Sequence, residues 1–153
     1  MSTAASPAEA TVARAFGGRV IVSATRPGPS AYDPEGRRHV FVPAPGDARR
    51  YALDIERRGA EVSVALCRAL GASDAEDALR LWVALEVEAK LRDVPAHLLL
   101  ARGGRDTGIE LRRCDTADFR MAVGRHAAEG GSAGRSGAAR AAGIATGTAS
   151  EIL

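Results

Sequence analysis

Cys114 is the residue of this sequence best suited to nucleophilic chemistry. It immediately precedes Asp115, which we expect to cap a helix, and a helix N-terminus lowers the pKa of an exposed thiol. A histidine base would complete such a site, and we take His97 as the candidate, with His39 and His126 as alternatives. Because nucleophilic sites are assembled in space, sequence spacing neither supports nor excludes this pairing. A buried structural cysteine is the simpler interpretation.

Glu86 is a third candidate catalytic residue. It lies in the most apolar predicted helix, where a carboxyl group with a raised pKa can act as a general acid or base. The same helix places Glu86 four residues before Lys90 and Glu88 four residues before Arg92. Acid before base at this spacing is the favourable order for ion pairs. Solvated pairs on a helix surface therefore compete with the catalytic interpretation.

Histidine and cysteine spacing argues against a metal site. The three histidines, His39, His97 and His126, lie far apart in the sequence. Cys67 and Cys114 are the two cysteines, and neither belongs to a C-x-x-C pair. Zinc sites use closely spaced ligand pairs, and two distant cysteines make no disulfide framework. We therefore predict no bound metal.

The segment around Gly103 and Gly108 resembles the beginning of a phosphate-binding loop only in its glycine spacing. Such a loop continues with Lys and then Ser or Thr, which hold the terminal phosphates and their metal ion. Here Ile109 and Glu110 follow, and a glutamate repels phosphate. The segment predicts a hairpin turn instead, and we predict no cofactor.

The charge balance is close to neutral. The chain has 21 basic and 19 acidic residues, and the bias of arginine over lysine is typical of a GC-rich genome. Two predicted strands carry Arg37, Arg38, His39, Arg112 and Arg113, and the C-terminal segment adds further arginines. A nucleic-acid-associated protein using these arginines is one alternative function. Sheet-face RNA binding also needs exposed aromatic side chains, of which this chain has few.

In the N-terminal half, we predict alternating helices and strands. A capping-box pattern predicts a helix over residues 6–16. β-branched runs at 19–24 and 39–42 predict two strands that pair as an antiparallel hairpin. From residue 47 to residue 70, apolar side chains recur at helical spacing, and Gly59 marks either a break between two shorter helices or a close packing point.

In the C-terminal half, a second capping box begins a helix over residues 73–92. Apolar segments at 96–101 and 107–112 predict a second hairpin, and Asp115 caps a last helix that runs to about residue 127. The predicted fold class is α+β: a small antiparallel sheet of two hairpins packed against two central helices, with short terminal helices.

The composition divides the chain into three parts. Residues 1–15 form an N-terminal segment with a short capped helix, residues 16–129 a single domain, and residues 130–153 a flexible Gly/Ala-rich tail. The N-terminal segment lacks the basic start and the following apolar run of a signal peptide, so we predict none. No apolar stretch approaches the roughly 20 residues of a membrane span. We expect a soluble, cytoplasmic protein.

The helix around Trp82 is apolar nearly all round, which is typical of a helix that is central or half covered by another chain. We therefore predict a protein interface at Leu81, Trp82 and Leu85, joined by Ile152 and Leu153 at the C-terminus. The favoured function is a non-enzymatic accessory or structural subunit that contacts another protein or a second copy of itself. A small enzyme or ligand-binding protein, with a pocket between helices and sheet, is the other alternative.

Overall fold

The computed structural model describes residues 9–103 and 108–128, which form seven strands and three α-helices. The strands are β1 (Thr11–Ala15), β2 (Gly18–Val22), β3 (Ser30–Tyr32), β4 (Arg38–Val42), β5 (Tyr51–Arg57), β6 (Ile109–Arg113) and β7 (Phe119–His126). The helices are α1 (Val64–Leu70), α2 (Ala75–Arg92) and α3 (Ala96–Arg102), and a single 3-10 turn covers Ala48–Arg50. The predicted mixture of helices and antiparallel strands is confirmed.

The strands form two antiparallel sheets where the sequence predicted one sheet of two hairpins. The first sheet has the order β1-β2-β4-β3 and the second the order β5-β7-β6. The predicted pairing of β2 with β4 is confirmed, with Val20 opposite Phe41. The short strand β3 adds to β4 from within the loop that follows β2.

The predicted helix over residues 47–70 is wrong in its first half, because Tyr51–Arg57 is strand β5. Tyr51 and Ile55 are four residues apart, a spacing that lies on one face of a helix and also on one face of a strand. Within residues 47–70, α1 is the only α-helix, and its C-cap residue Gly71 is in the left-handed conformation.

The predicted C-terminal helix is also wrong, because Phe119–His126 is strand β7. Phe119, Met121 and Val123 alternate along β7 and are all buried in one core cluster. Asp115 caps no helix, and its Oδ1 accepts a hydrogen bond from the backbone N–H of Met121. This hydrogen bond holds the loop between β6 and β7 against the start of β7.

Two further elements differ from expectation. The segment 96–101, predicted as a strand, lies in α3, which begins directly after Pro95. The predicted N-terminal helix is wrong over Thr11–Ala15, which is strand β1, and its first residues lie outside the described ranges. Helix α2 is confirmed, although its N-cap is Asp74, whose side chain accepts from the N–H of Asp77.

The core lies on both faces of the second sheet. Between the two sheets, Phe41, Leu53 and Met121 belong to one buried cluster. On the opposite face of β5 and β7, Ala52 and Ala122 contact Val83 and Val87 of α2. A third cluster joins α2 to α3 through Ala89, Ala96 and Leu99. This arrangement fixes the side of the sheet on which α2 lies.

Gly124 on β7 sets the distance between α2 and the sheet. A Cβ at this position would lie 2.5 Å from Cγ1 of Val87 and 3.3 Å from Cδ1 of Leu91. We expect Gly124→Ala to lower the free energy of unfolding by about 1–3 kcal/mol, because the helix must shift or strain. Chemical denaturation measures this loss.

The same measurement has an internal rescue and a control. Val87→Ala in the Gly124→Ala background removes the clashing methyl group, so the double variant should lose less than the sum of the two single losses. Gly46→Ala is the control, because its nearest neighbour would be the Ala44 carbonyl oxygen at 3.5 Å. Additive losses would show that contact between position 124 and Val87 does not limit how closely α2 packs on the sheet.

Candidate interaction face

A largely apolar groove runs between α2 and β6, and we call it the α2–β6 groove. Its volume is about 200 Å³. It is lined by Leu81, Ala84, Leu85, Glu88, Ile109, Leu111 and Arg113. Five of the seven lining residues are apolar, with one acid and one base among them.

Simple periodicity places these side chains together. On α2, Leu81 and Leu85 are four residues apart and share one helical face. On β6, alternate residues face the same side of the sheet, so Ile109 and Leu111 both point toward α2. The sequence predicted the helical half of this groove, but it could not show that β6 lies beside it.

β6 is an edge strand. Within the described residues, β7 is the only strand paired with β6. Gly108 O accepts from the N–H of Ala127, and Cys114 N–H donates to Met121 O, so even-numbered residues turn their backbone groups toward β7. The N–H and C=O groups of Ile109, Leu111 and Arg113 therefore point away from the sheet.

The other edge of this sheet, β5, is covered by its own chain. The ammonium group of Lys90 donates to Leu53 O at 2.9 Å, and Arg57 O accepts from the N–H of Ala60. Proteins commonly protect edge strands in this way, because exposed ladder groups pair with other chains. Among the described residues, by contrast, the outer edge of β6 pairs with no strand, and we call it the open edge.

The two charged residues of the groove differ in burial. Glu88 is buried, and its Oε1 lies 2.9 Å from Nε of Arg92, the pair expected from their spacing. Arg113, on the strand opposite, is exposed.

The predicted interface residue Trp82 is half-buried. It packs with Leu85 against Ala96 and Leu99, so part of the apolar face of α2 is covered by α3 of the same chain. The sequence misassigned α3 as a strand and so missed this cover. Ile152 and Leu153 lie outside the described residues.

The three candidate catalytic residues lie in different environments. Cys114 is buried in the cluster between the two sheets, and burial together with Asp115 raises the pKa of its thiol to about 11. His97 is exposed on α3. Glu86 is half-buried on α2, on the other side of the second sheet from Cys114. A thiol with this pKa stays protonated near neutral pH and is a poor nucleophile.

A buried carboxylate that the sequence did not single out lies next to Glu86. Asp54 on β5 faces α2, and its Oδ1 accepts from the Lys90 ammonium at 2.7 Å. Burial outweighs this partner and raises the pKa of Asp54 to about 6, with Glu86 and Glu56 adding repulsion. Burial and Glu86 also raise the pKa of Glu56. An acid alternating with apolar residues along a strand was the available signal, and the helical assignment concealed it.

The predicted basic surface is mostly engaged in the fold. Arg37 Nε donates to Asp33 Oδ2 at 2.7 Å, and Arg38 donates to the backbone oxygens of Ser23, Arg26 and Gly28. His39 is buried. The Arg112 guanidinium lies over the Phe16 ring, 5.4 Å from its centroid. Arg37 and Arg38 therefore hold loops of their own chain, whereas Arg112 and Arg113 are exposed.

The described residues contain no group of three or more His, Cys, Asp or Glu side chains arranged to hold a metal ion. None of the helices in the described ranges is both long enough and apolar enough to span a membrane. Comparisons of the chain with protein families, with curated proteins and with solved structures give no match.

Proposed function

We propose that this protein is a non-enzymatic accessory or structural subunit that acts by binding another protein or a second copy of itself. The observation that carries the proposal is the α2–β6 groove lying directly beside the open edge of β6. Apolar side chains and unpaired backbone groups in one place suit the addition of a strand from another chain. We call the groove and this edge together the α2–β6 face.

The alternatives have less support. A nucleic-acid-associated protein needs free basic side chains on one surface, whereas Arg37 and Arg38 are held by groups of their own chain and His39 is buried. The catalytic set expected from the sequence is not assembled, because Cys114 and Glu86 lie on opposite sides of the second sheet. Protein binding requires neither.

Size-exclusion chromatography with light scattering, on protein purified under native conditions, tests the proposal. We expect a mass above that of one chain, from self-association or from a stoichiometric partner that co-purifies. A monomer with no associated protein, across the accessible concentration range, would contradict it.

A further inference from the structure

We propose that the partner at the α2–β6 face is a second copy of this chain, bound by antiparallel pairing of the two β6 strands about a twofold axis at Leu111. This inference rests on the proposed function and makes it more specific. It joins the two three-stranded sheets into one six-stranded sheet, with both α2 helices on the same face.

The backbone of β6 is suited to this pairing. Ile109, Leu111 and Arg113 turn their N–H and C=O groups outward, as the bonds of Gly108 and Cys114 to β7 require. In a twofold pairing at Leu111, this residue exchanges both backbone hydrogen bonds with its own copy. Ile109 does the same with Arg113 of the second copy, so the outward groups of all three residues are satisfied.

The side chains select this register over its neighbours. With Leu111 on the axis, Glu110, which pairs with Arg125 of its own chain, lies opposite Arg112 of the second copy in both halves of the dimer. Opposite charges directly across a strand pair stabilise it, and like charges destabilise it. Moving the axis to Glu110, Arg112 or Arg113 places two like charges opposite each other. With the axis at Ile109, this residue meets its own copy, and neither Arg112 nor Arg113 lies opposite a residue of Ile109–Leu111 in the second copy.

Charge on an edge strand usually discourages pairing. Here the order Glu110, Leu111, Arg112 is self-complementary when the strand meets its own copy in the antiparallel direction. Leu111 then meets its copy on the face that carries the α2–β6 groove. The open edge and the groove floor are therefore covered by one partner, and no different protein is required to explain them.

Cysteine cross-linking tests the register. In a Cys67→Ser background, which removes the half-buried thiol, Leu111→Cys places two cysteines directly opposite each other. Their Cα atoms would be about 5.5 Å apart, within the range of a disulfide. We expect a covalent dimer as the major species after mild oxidation.

Arg113→Cys in the same background is the matched control. Its copy would be offset by four residues, or roughly 14 Å along the strand, too far for a disulfide. Mixing Ile109→Cys protein with Arg113→Cys protein should restore cross-linking, and this arm leaves Leu111 intact. Cross-linking of Arg113→Cys alone, or failure of both Leu111→Cys and the mixed pair, would overturn the inference.

The outcomes separate this inference from the proposed function. A chain that is monomeric alone but co-purifies with a different protein overturns the second-copy inference and keeps the proposed function. A dimer that cross-links neither through Leu111→Cys nor in the mixed pair also overturns the pairing of β6 strands and keeps the proposed function. A monomer without any associated protein overturns both.

Discussion

Asp33→Ala should lower the free energy of unfolding by about 3–5 kcal/mol, because it leaves buried hydrogen-bonding groups without a partner. The Asp33 side chain is 0% exposed and accepts from the backbone N–H groups of Glu35 and Arg37, from Arg37 Nε and from His39 Nε2. Burial opposes ionisation, but the His39 and Arg37 hydrogen bonds outweigh it and lower the pKa of Asp33. The carboxylate is therefore ionised and acts only as an acceptor, so His39 Nε2 carries the proton.

Urea denaturation of three variants measures this contribution. Asp33→Asn keeps the shape and one acceptor oxygen, so it should lose less than Asp33→Ala. Glu35→Ala is the control: its carboxylate pairs with Arg37 and Arg57, is 44% exposed, and should contribute less than about 1 kcal/mol. The stability due to Asp33 is present above pH 3.8 and is lost as the pH falls below it. Equal midpoints for Asp33→Ala and the wild type would refute this role.

Asp54→Asn should remove a contribution to stability that falls as the pH rises, whereas the contribution of Asp33 falls as the pH decreases. The pKa of Asp54 rises from 3.8 to about 6 on folding, chiefly because burial penalises the charged form. The folded state therefore binds the proton more tightly than the unfolded chain does, and the stability from this proton is lost as the pH rises from about 4 to about 6. A shift of this size corresponds to roughly 3 kcal/mol.

The difference in unfolding free energy between wild type and Asp54→Asn isolates this effect. We expect the wild type to lose roughly 3 kcal/mol relative to the variant as the pH rises across that interval. Lys90→Met provides a second test, because it removes the ammonium group 2.7 Å from Asp54 Oδ1. The pKa of Asp54 should then rise further, so that the loss of stability extends to higher pH. A difference that stays constant between pH 4 and pH 6 would show that burial does not raise this pKa.

Helix α2 was predictable because its signals are local. The N-cap Asp74 precedes it, apolar residues continue through it, and Asp93 and Pro95 follow its last residue. The strands β5 and β7 were mistaken for helices for a physical reason. Residues spaced by four, such as Tyr51 and Ile55, satisfy both periods, and the burial that decides between them comes from the other sheet.

The residues of the α2–β6 groove likewise divide into those that local sequence patterns reveal and those that only long-range contacts bring together. Leu81 and Leu85 follow from the apolar face of α2, which the sequence shows directly. Ile109 and Leu111 join them only through the pairing of β6 with β7, a long-range contact that no local pattern encodes. The contact between Asp54 and Lys90 joins residues 36 positions apart and was hidden for the same reason.

The α2–β6 face as a protein-binding surface is tested most directly by comparing masses of the wild type and two variants by light scattering. Leu81→Glu places a charge in the groove, whereas Val64→Glu places one on α1, where Val64 is 73% exposed and lies outside the groove. We expect association in the wild type and in Val64→Glu and its loss in Leu81→Glu, with all three proteins folded by circular dichroism. Equal masses for a folded Leu81→Glu and the wild type would contradict binding at this face.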